Sequence, residues 1–195
     1  MIRFLDIVFS ALGLLALSPL FLVVYVIIRI ESKGAGFYSQ KRVGKNGVLF
    51  SIYKFRSMRI DADKHGLITV GGCDPRITRT GYYIRKYKID ELPQLWNVLI
   101  GDMSLVGPRP EVQKYVDLYS DEQRKVLSVR PGITDYASIE YADENTLLGN
   151  SDDPDRTYVE IVMPAKIELN MRYINNKSLK EYFKIIFLTM AKIVG

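Results

Sequence analysis

The chain has 195 residues, with 27 Lys and Arg against 22 Asp and Glu, a formal charge of +5 at pH 7 and a hydrophobic fraction of 48%. That length suits one core-forming domain once an apolar N-terminal segment is set aside, and the basic excess favours anionic partners such as phosphates, lipid headgroups or nucleic acid without choosing among them. Cys73 is the single cysteine, which excludes an intrachain disulfide and the paired-cysteine zinc and redox motifs and fits a reducing, cytoplasmic setting.

Residues 7–28 carry no charge and are almost wholly apolar, about the length that crosses a hydrocarbon core of ~30 Å as a helix. The run passes directly into Arg29 and Lys33 with no small-residue cleavage site, so it is expected to be retained rather than removed as a signal peptide. Ser18-Pro19 interrupts it near the midpoint, where proline removes a backbone hydrogen bond and clashes with the preceding turn at a cost of about 3 kcal/mol. Two forms are compatible with this. One is a kinked single-pass helix whose freed carbonyl finds a serine hydroxyl, and the other is a re-entrant hairpin that enters and leaves by the same face. Arg29, Lys33, Lys41, Arg42 and Lys45 outweigh Arg3 on the other flank and place the body in the cytoplasm. Arg3 itself favours the re-entrant form.

Residues 37–60, FYSQKRVGKNGVLFSIYKFRSMRI, read as two strands about an Asn46-Gly47 turn. Residues 61–80 are polar and punctuated by Gly71-Gly72 and Asp74-Pro75, the pattern of an irregular, mobile loop. Between 82 and 99 apolar positions recur at mostly helical spacing, and Pro93 suits the first turn of a new helix. Residues 101–111 read as a loop in which Pro108 and Pro110 restrict Arg109. A polar helix is expected near 111–128, then a short β-like run after Arg130-Pro131-Gly132, an acidic loop over 143–155 and two helices to the end. In the last helix Leu179, Tyr182, Phe183, Ile186, Phe187 and Met190 share a broad apolar face, expected to pack into the core in preference to lying on a bilayer. The fold class is therefore α+β: a mainly helical compact domain with a small β-hairpin.

Asp90 and Glu91 are adjacent carboxylates just before a helix N-terminus, with Arg85, Lys86 and Lys88 beside them and Arg109 a short loop away. Phosphoryl transfer uses these components: a carboxylate can attack phosphorus, a second can hold Mg²⁺, and cations neutralise the transferring oxygens. An acidic pair also simply suits the positive end of a helix dipole. Lys54, Arg56 and Arg59 are individually unremarkable basic positions beside a membrane, whereas Arg109 is pre-ordered for bidentate contact with phosphate. His65 reads as a surface residue and Cys73 as structural.

These residues together resemble the monotopic phosphoglycosyl transferases, bacterial sugar transferases that begin glycoconjugate assembly on undecaprenyl phosphate. The resemblance covers nearly the whole chain. It rests on the ordered set Ser18-Pro19, Gln40-Lys41-Arg42-Val43-Gly44, Lys54-Phe55-Arg56-Ser57-Met58, Asp74-Pro75-Arg76-Ile77-Thr78, the run KIDELPQLWNVLIGDMSLVGPRP over 88–110, and Arg130-Pro131-Gly132-Ile133-Thr134. It implies an N-terminal re-entrant membrane helix over residues 1–33, broken at Ser18-Pro19, and a catalytic domain over 34–195 on the cytoplasmic face of the bacterial inner membrane. It implies that Asp90 attacks the β-phosphate of a UDP-sugar and releases UMP, and that polyprenyl phosphate then takes the phosphosugar. Glu91 would hold Mg²⁺, and Arg109 and Arg85 would bind phosphate, with Lys54, Arg56 and Arg130 as further anion-binding candidates. Asp135-Tyr136 departs from the glycine and aromatic that commonly follow this last motif in the family, so an acidic group there is expected to alter donor contacts.

Two other classes compete. A membrane-tethered nucleic-acid-binding protein would use the basic excess, although no binding module is recognisable, so no nucleic-acid partner is expected. A non-catalytic scaffold would use Asp90-Glu91 only to start a helix. Within the enzyme class, the carboxylate could instead act as general base for direct attack by the lipid phosphate.

Overall fold

The computed structural model describes residues 1–60, 62 and 74–194. The polar stretch around His65 and Cys73 therefore lies outside the described residues, as do the expectations placed on it. The apolar N-terminal segment forms α1, Ile2–Glu31, a helix 30 residues long that runs through Pro19 without interruption. Its most apolar window has a mean hydropathy of 2.6. The Ser18 hydroxyl donates to the Leu15 carbonyl at 2.8 Å, the local compensation that lets an apolar helix carry an interior proline. A break at Ser18-Pro19 is thus not visible as a gap in the helix.

Both ends of α1 are buried against the body, while its middle touches the body only partly, at Gly13 beside Leu95, and is otherwise largely exposed. Val24 and Ile28 pack with Phe55 and Ile84, and Ile2 and Leu5 pack against Val106, Tyr173, Tyr182 and Ile185. Between Ser10 and Val24 no α1 residue is buried. Asp6 is buried at the N-terminal end, where its carboxylate accepts from the Ser104 hydroxyl at 2.8 Å, the Leu105 N–H at 3.0 Å and the Tyr182 hydroxyl at 2.9 Å. Arg3 donates to the carbonyls of Val98 and Leu99 at 2.5 and 2.9 Å. Those carbonyls lie in the last turn of the helix over Gln94–Ile100, where a cation also complements the helix dipole.

The hairpin forms as its sequence predicts. Strands β1, Phe37–Val43, and β2, Leu49–Phe55, pair antiparallel in the register Val43 with Leu49 and Phe37 with Phe55. Asn46 and Gly47 turn the chain at φ 57° and 79°, the left-handed pair that an Asn-Gly turn supplies at low cost. Next come α2, Arg79–Lys86, and α3, Gln94–Ile100, separated by a 3₁₀ turn over Ile89–Glu91. Thr78 caps α2 by accepting from the Gly81 N–H at 2.9 Å.

Residues 101–111 are not all loop, because Ser104–Val106 forms β3, parallel to β4 at Gly132–Thr134. Gly107 and Gly132 allow this close approach, since a Cβ on Gly132 would lie 2.1 Å from the Gly107 nitrogen. The expected helix over 111–128 is split into α4, Gln113–Val116, and α5, Asp121–Arg124, by the Ser120 capping box. After β4 comes α6, Tyr136–Glu140, and the stretch expected as an acidic loop over 143–155 instead contains α7, Glu144–Gly149, and the start of α8, Pro154–Thr157. Asp153 in that stretch and Asp135 ahead of it each accept a backbone N–H at the start of a helix.

A π turn over Tyr158–Val162 leads into α9, Met163–Asn175. Pro164 lacks the N–H that an α-helix would offer to the carbonyl of residue 160, which accounts for the widened turn. In α10, Leu179–Val194, Tyr182 and Ile185 are fully buried but Phe187 is 73% exposed and Phe183 and Met190 are also exposed. The apolar face is therefore split between core and surface, in place of the single core-packed face expected.

Asp6→Ala would remove the acceptor of the Ser104, Leu105 and Tyr182 donors, each buried unmet donor costing about 1–3 kcal/mol. The expected outcome is a loss of about 3 kcal/mol in denaturant unfolding of detergent-purified protein. A midpoint equal to that of the native chain would show that Asp6 does not anchor α1.

Candidate active site

Asp90 and Glu91 occupy the 3₁₀ turn just ahead of α3. The turn is entered through Lys88, a non-glycine residue held at φ 56°, a left-handed backbone that costs energy and recurs at functional sites. Asp90 is 5% exposed. Glu91 is clasped from two sides: Lys54 Nζ on β2 donates to Oε1 at 2.9 Å, and the Arg109 guanidinium spans both carboxylate oxygens, with Nη1 to Oε2 at 3.0 Å. A two-armed guanidinium on a carboxylate fixes orientation as well as charge. Four of the expected site residues thus meet here.

Supporting groups that the sequence did not advertise set this geometry. Asn97, fully buried, donates to the Ser51 carbonyl at 2.7 Å and accepts from the Tyr53 N–H at 3.0 Å, tying α3 to the strand that carries Lys54. Asp135, also fully buried, accepts from the Arg109 backbone N–H at 3.0 Å with one oxygen and from the Ser138 N–H at 2.6 Å with the other. The acidic departure at Asp135 therefore holds the Arg109 loop from behind. Arg42 pairs with Glu111 at 3.2 Å, and the Tyr158 hydroxyl donates to that same glutamate. A strand edge satisfied by an asparagine and a loop satisfied by an aspartate have no periodic signature, so only contact geometry reveals them.

The other expected residues are distributed. Arg85 lines the same cavity of about 1090 Å³ as Lys54, Asp90, Glu91 and Arg109, and its charge acts on Asp90. Arg56 also borders it, but its guanidinium donates to the carbonyls of Ser32 and Lys33 at 2.9 and 2.8 Å and so pins the chain leaving α1. Arg130 lies in a separate cleft near Arg3 and donates to the Gly101 carbonyl at 2.8 Å. Ser18 and Pro19 sit in the exposed middle of α1.

The two carboxylates differ in protonation. Burial and the negative charge of Glu91 push Asp90 up to about 6, against the pull of Lys54, Arg85 and Lys88. Burial also pushes Glu91 upward, but Arg109 and Lys54 together hold it well below the usual carboxylate range. Burial pulls Lys54 down against the attraction of Glu91. Glu91 raises Arg109.

Among the described residues no three His, Cys, Asp or Glu side chains converge, so the site is not a preformed metal cage. It nevertheless suits a magnesium ion. Glu91 accepts three hydrogen bonds and keeps an open lone pair on Oε2, and no described side chain hydrogen-bonds the Asp90 carboxylate. Magnesium characteristically takes one or two carboxylates and completes its shell with water and substrate phosphates.

The comparisons with known proteins decide the family. Residues 1–195 match the family model for bacterial sugar transferases. The chain belongs to that family. It is 41% identical over 195 residues to the UDP-N-acetylgalactosamine-undecaprenyl-phosphate N-acetylgalactosaminephosphotransferase of Aeromonas hydrophila, covering 98% of this chain and 43% of that protein. It is 35% identical over 190 residues to the UDP-glucose:undecaprenyl-phosphate glucose-1-phosphate transferase of Klebsiella pneumoniae, covering 96% of this chain and 38% of that one. With the exopolysaccharide production protein PSS of Rhizobium leguminosarum bv. phaseoli it shares 37% over 197 residues, 97% of this chain and 92% of the relative. The chain thus spans less than half the length of the first two of these relatives.

A carboxyl whose folded value lies above its unfolded one contributes stability at low pH that is lost as pH rises through the folded value. Asp90, raised from 3.8 to about 6, should therefore weaken the fold fully at pH 8 and about half as much at pH 5, which lies between the two values. Asp90→Asn is expected to stabilise the protein at pH 8 by about 1–3 kcal/mol, and by less at pH 5. Denaturant unfolding at both values checks this, and an equal effect at the two would contradict the shifted carboxyl.

Proposed function

We propose that the protein transfers a sugar 1-phosphate from a UDP-sugar to undecaprenyl phosphate and releases UMP, as the first membrane step in building a bacterial glycoconjugate. The observation that carries this reading is the asymmetric pair: Glu91 is locked as an anion between Lys54 and Arg109, while Asp90 beside it carries no hydrogen bond from a described side chain and faces a cation-lined cavity. An unencumbered carboxylate among phosphate-binding cations is arranged to attack phosphorus.

In the proposed reaction an Asp90 oxygen forms a bond to the β-phosphorus of the donor, the bond from that phosphorus to the bridging oxygen breaks, and UMP leaves with the electron pair. An oxygen of the polyprenyl phosphate then attacks the same phosphorus, the acyl phosphate bond breaks, and Asp90 is restored as a carboxylate. Arg85 and Arg109 stabilise the equatorial oxygens, and Lys54 keeps Glu91 charged and in place. Magnesium held by Glu91 would supply further neutralisation of the donor diphosphate. The names of the relatives make UDP-N-acetylgalactosamine and UDP-glucose the first donors to try.

The membrane arrangement belongs to the same proposal. Both ends of α1 rest on one body and its middle is largely exposed, which supports a re-entrant, monotopic helix over a spanning one. The body then lies on the cytoplasmic face, where soluble donor and lipid acceptor meet. The exposed Phe187, Phe183 and Met190 of α10 suit contact with the same interface.

Native protein in detergent with Mg²⁺, undecaprenyl phosphate and a donor panel should release UMP, and Asp90→Asn should lower the rate by at least about a thousandfold. With acceptor omitted, intact-mass spectrometry should find the native chain heavier by one phosphosugar. Release of UDP in place of UMP would refute the reaction, and UMP release without any adduct would favour the general-base route. The rate should fall on the acid side with an apparent pKa near 6, because only ionised Asp90 attacks. A reporter ahead of Met1 should be accessible from the cytoplasmic side only, and periplasmic access would reject the re-entrant form.

A further inference from the structure

The cavity that holds Asp90 and Arg109 also extends between α6 and α9, where its chemistry changes. At the Asp90 end the lining is cationic: Lys54, Arg85, Lys88 and Arg109. At the far end two ion pairs lie along the lining. Lys166 pairs with Glu144 at 2.8 Å and lies over the Tyr158 ring, and Arg42 pairs with Glu111. Among the described residues two buried neutral groups there have no hydrogen-bond partner. Asn170, 5% exposed on α9, has a buried side-chain oxygen with no hydrogen-bond partner, and the buried Ser138 hydroxyl on α6 has none either. Both residues line the cavity.

A buried amide left unpaired costs about 1–3 kcal/mol, and a fold accepts that cost most readily where a ligand meets the group. Ser138 is also tied to the phosphate-binding loop. Its backbone N–H and that of Arg109 share the two oxygens of Asp135, and α6 packs on α9. The wall bearing these two side chains is therefore fixed relative to Arg109.

We infer that Ser138 and Asn170 form a subsite for a neutral, hydrogen-bonding end of the donor, a group rich in O–H or N–H, while its phosphates lie at Arg109 and Lys54. This rests on the reading of the protein as a phosphosugar transferase. An amide and a hydroxyl can each give and accept a hydrogen bond, which matches a sugar ring or a uracil and offers nothing to compensate a third charged group. A site built from buried hydrogen-bonding groups also discriminates by what it leaves unpaired when the wrong ligand enters.

The test uses Asn170→Leu and Ser138→Ala in the full chain, with UMP release measured against donor concentration and UMP tested as a competitor. Each variant should raise the KM for the UDP-sugar by roughly 3–30-fold with kcat changed less than about twofold. A parallel rise in the inhibition constant of UMP places the uracil in the subsite, and an unchanged one places the sugar there. Asn170→Leu should leave the thermal midpoint equal or higher, because it removes an unmet amide, whereas an amide serving the core would lower it. Unchanged KM in both variants, with normal UMP release by the native chain, would overturn this subsite alone. No UMP release by the native chain with any donor would overturn the transferase reading and the subsite with it.

Discussion

Two carboxylates on successive residues cannot both be buried and charged unless cations neutralise at least one of them, because desolvation and mutual repulsion act in the same direction. Much of the arrangement of this domain follows from that constraint. Glu91 is the member that is neutralised, by a lysine from the hairpin and an arginine from the loop after β3. Asp90 receives no such partner among the described side chains and keeps a raised affinity for its proton. The difference between neighbours of nearly identical chemistry is made by where β2 and the Pro108–Pro110 loop place their cations.

Holding those cations in place requires further interactions, and these link the layers of the fold. Asn97 secures β2 to α3, so that Lys54 and Glu91 share one rigid support. Asp135 secures the Arg109 loop to the start of α6. Gly107 and Gly132 let β3 and β4 approach closely enough for that loop and its partner to meet. Each of these residues acts on the site through another side chain, and each sits in a different segment of sequence. A charged cluster this dry depends on such supports, since a displacement of about an ångström would leave a buried charge uncompensated.

Elements with a local signature were legible in the sequence. The Asn46-Gly47 hairpin, the helix beginning at Pro93, the two C-terminal helices and the apolar N-terminal helix all follow from turn chemistry or periodicity, and Asp90, Glu91 and Arg109 stood out as candidates from charge spacing, whereas Lys54 stood out only through the family resemblance. Elements made by tertiary contact were not legible. The three-residue strand at Ser104–Val106 exists only because Gly132–Thr134 lies beside it, and the aspartates of the 143–155 stretch and Asp135 look like solvated charge until their N–H donors are seen. Arg56 shows the opposite error. Its basic context suggested an anion, whereas its fork is occupied by the carbonyls that end α1. Asp6 gave no warning at all, being one carboxylate at the edge of an apolar run.

The membrane segment and the active site also depend on the same helix. Arg3 binds the C-terminal carbonyls of α3, Gly13 leaves just enough room for Leu95, with a Cβ there 3.1 Å from its side chain, and Asp90-Glu91 leads directly into the N-terminal end of α3. At its other end α1 packs on Phe55 and Ile84, flanked by Ile89, the residue before Asp90. In the membrane arrangement proposed above, the level at which α1 enters the bilayer sets the height of the Asp90 carboxylate above it. In the proposed reaction an acceptor whose phosphate is confined to the headgroup layer needs a carboxylate at a fixed height, and a helix tied from both ends to the body around Asp90 would provide it. On this argument Asp6 and Arg56 would matter to the proposed reaction because they hold the two ends of α1 to the body that carries Asp90.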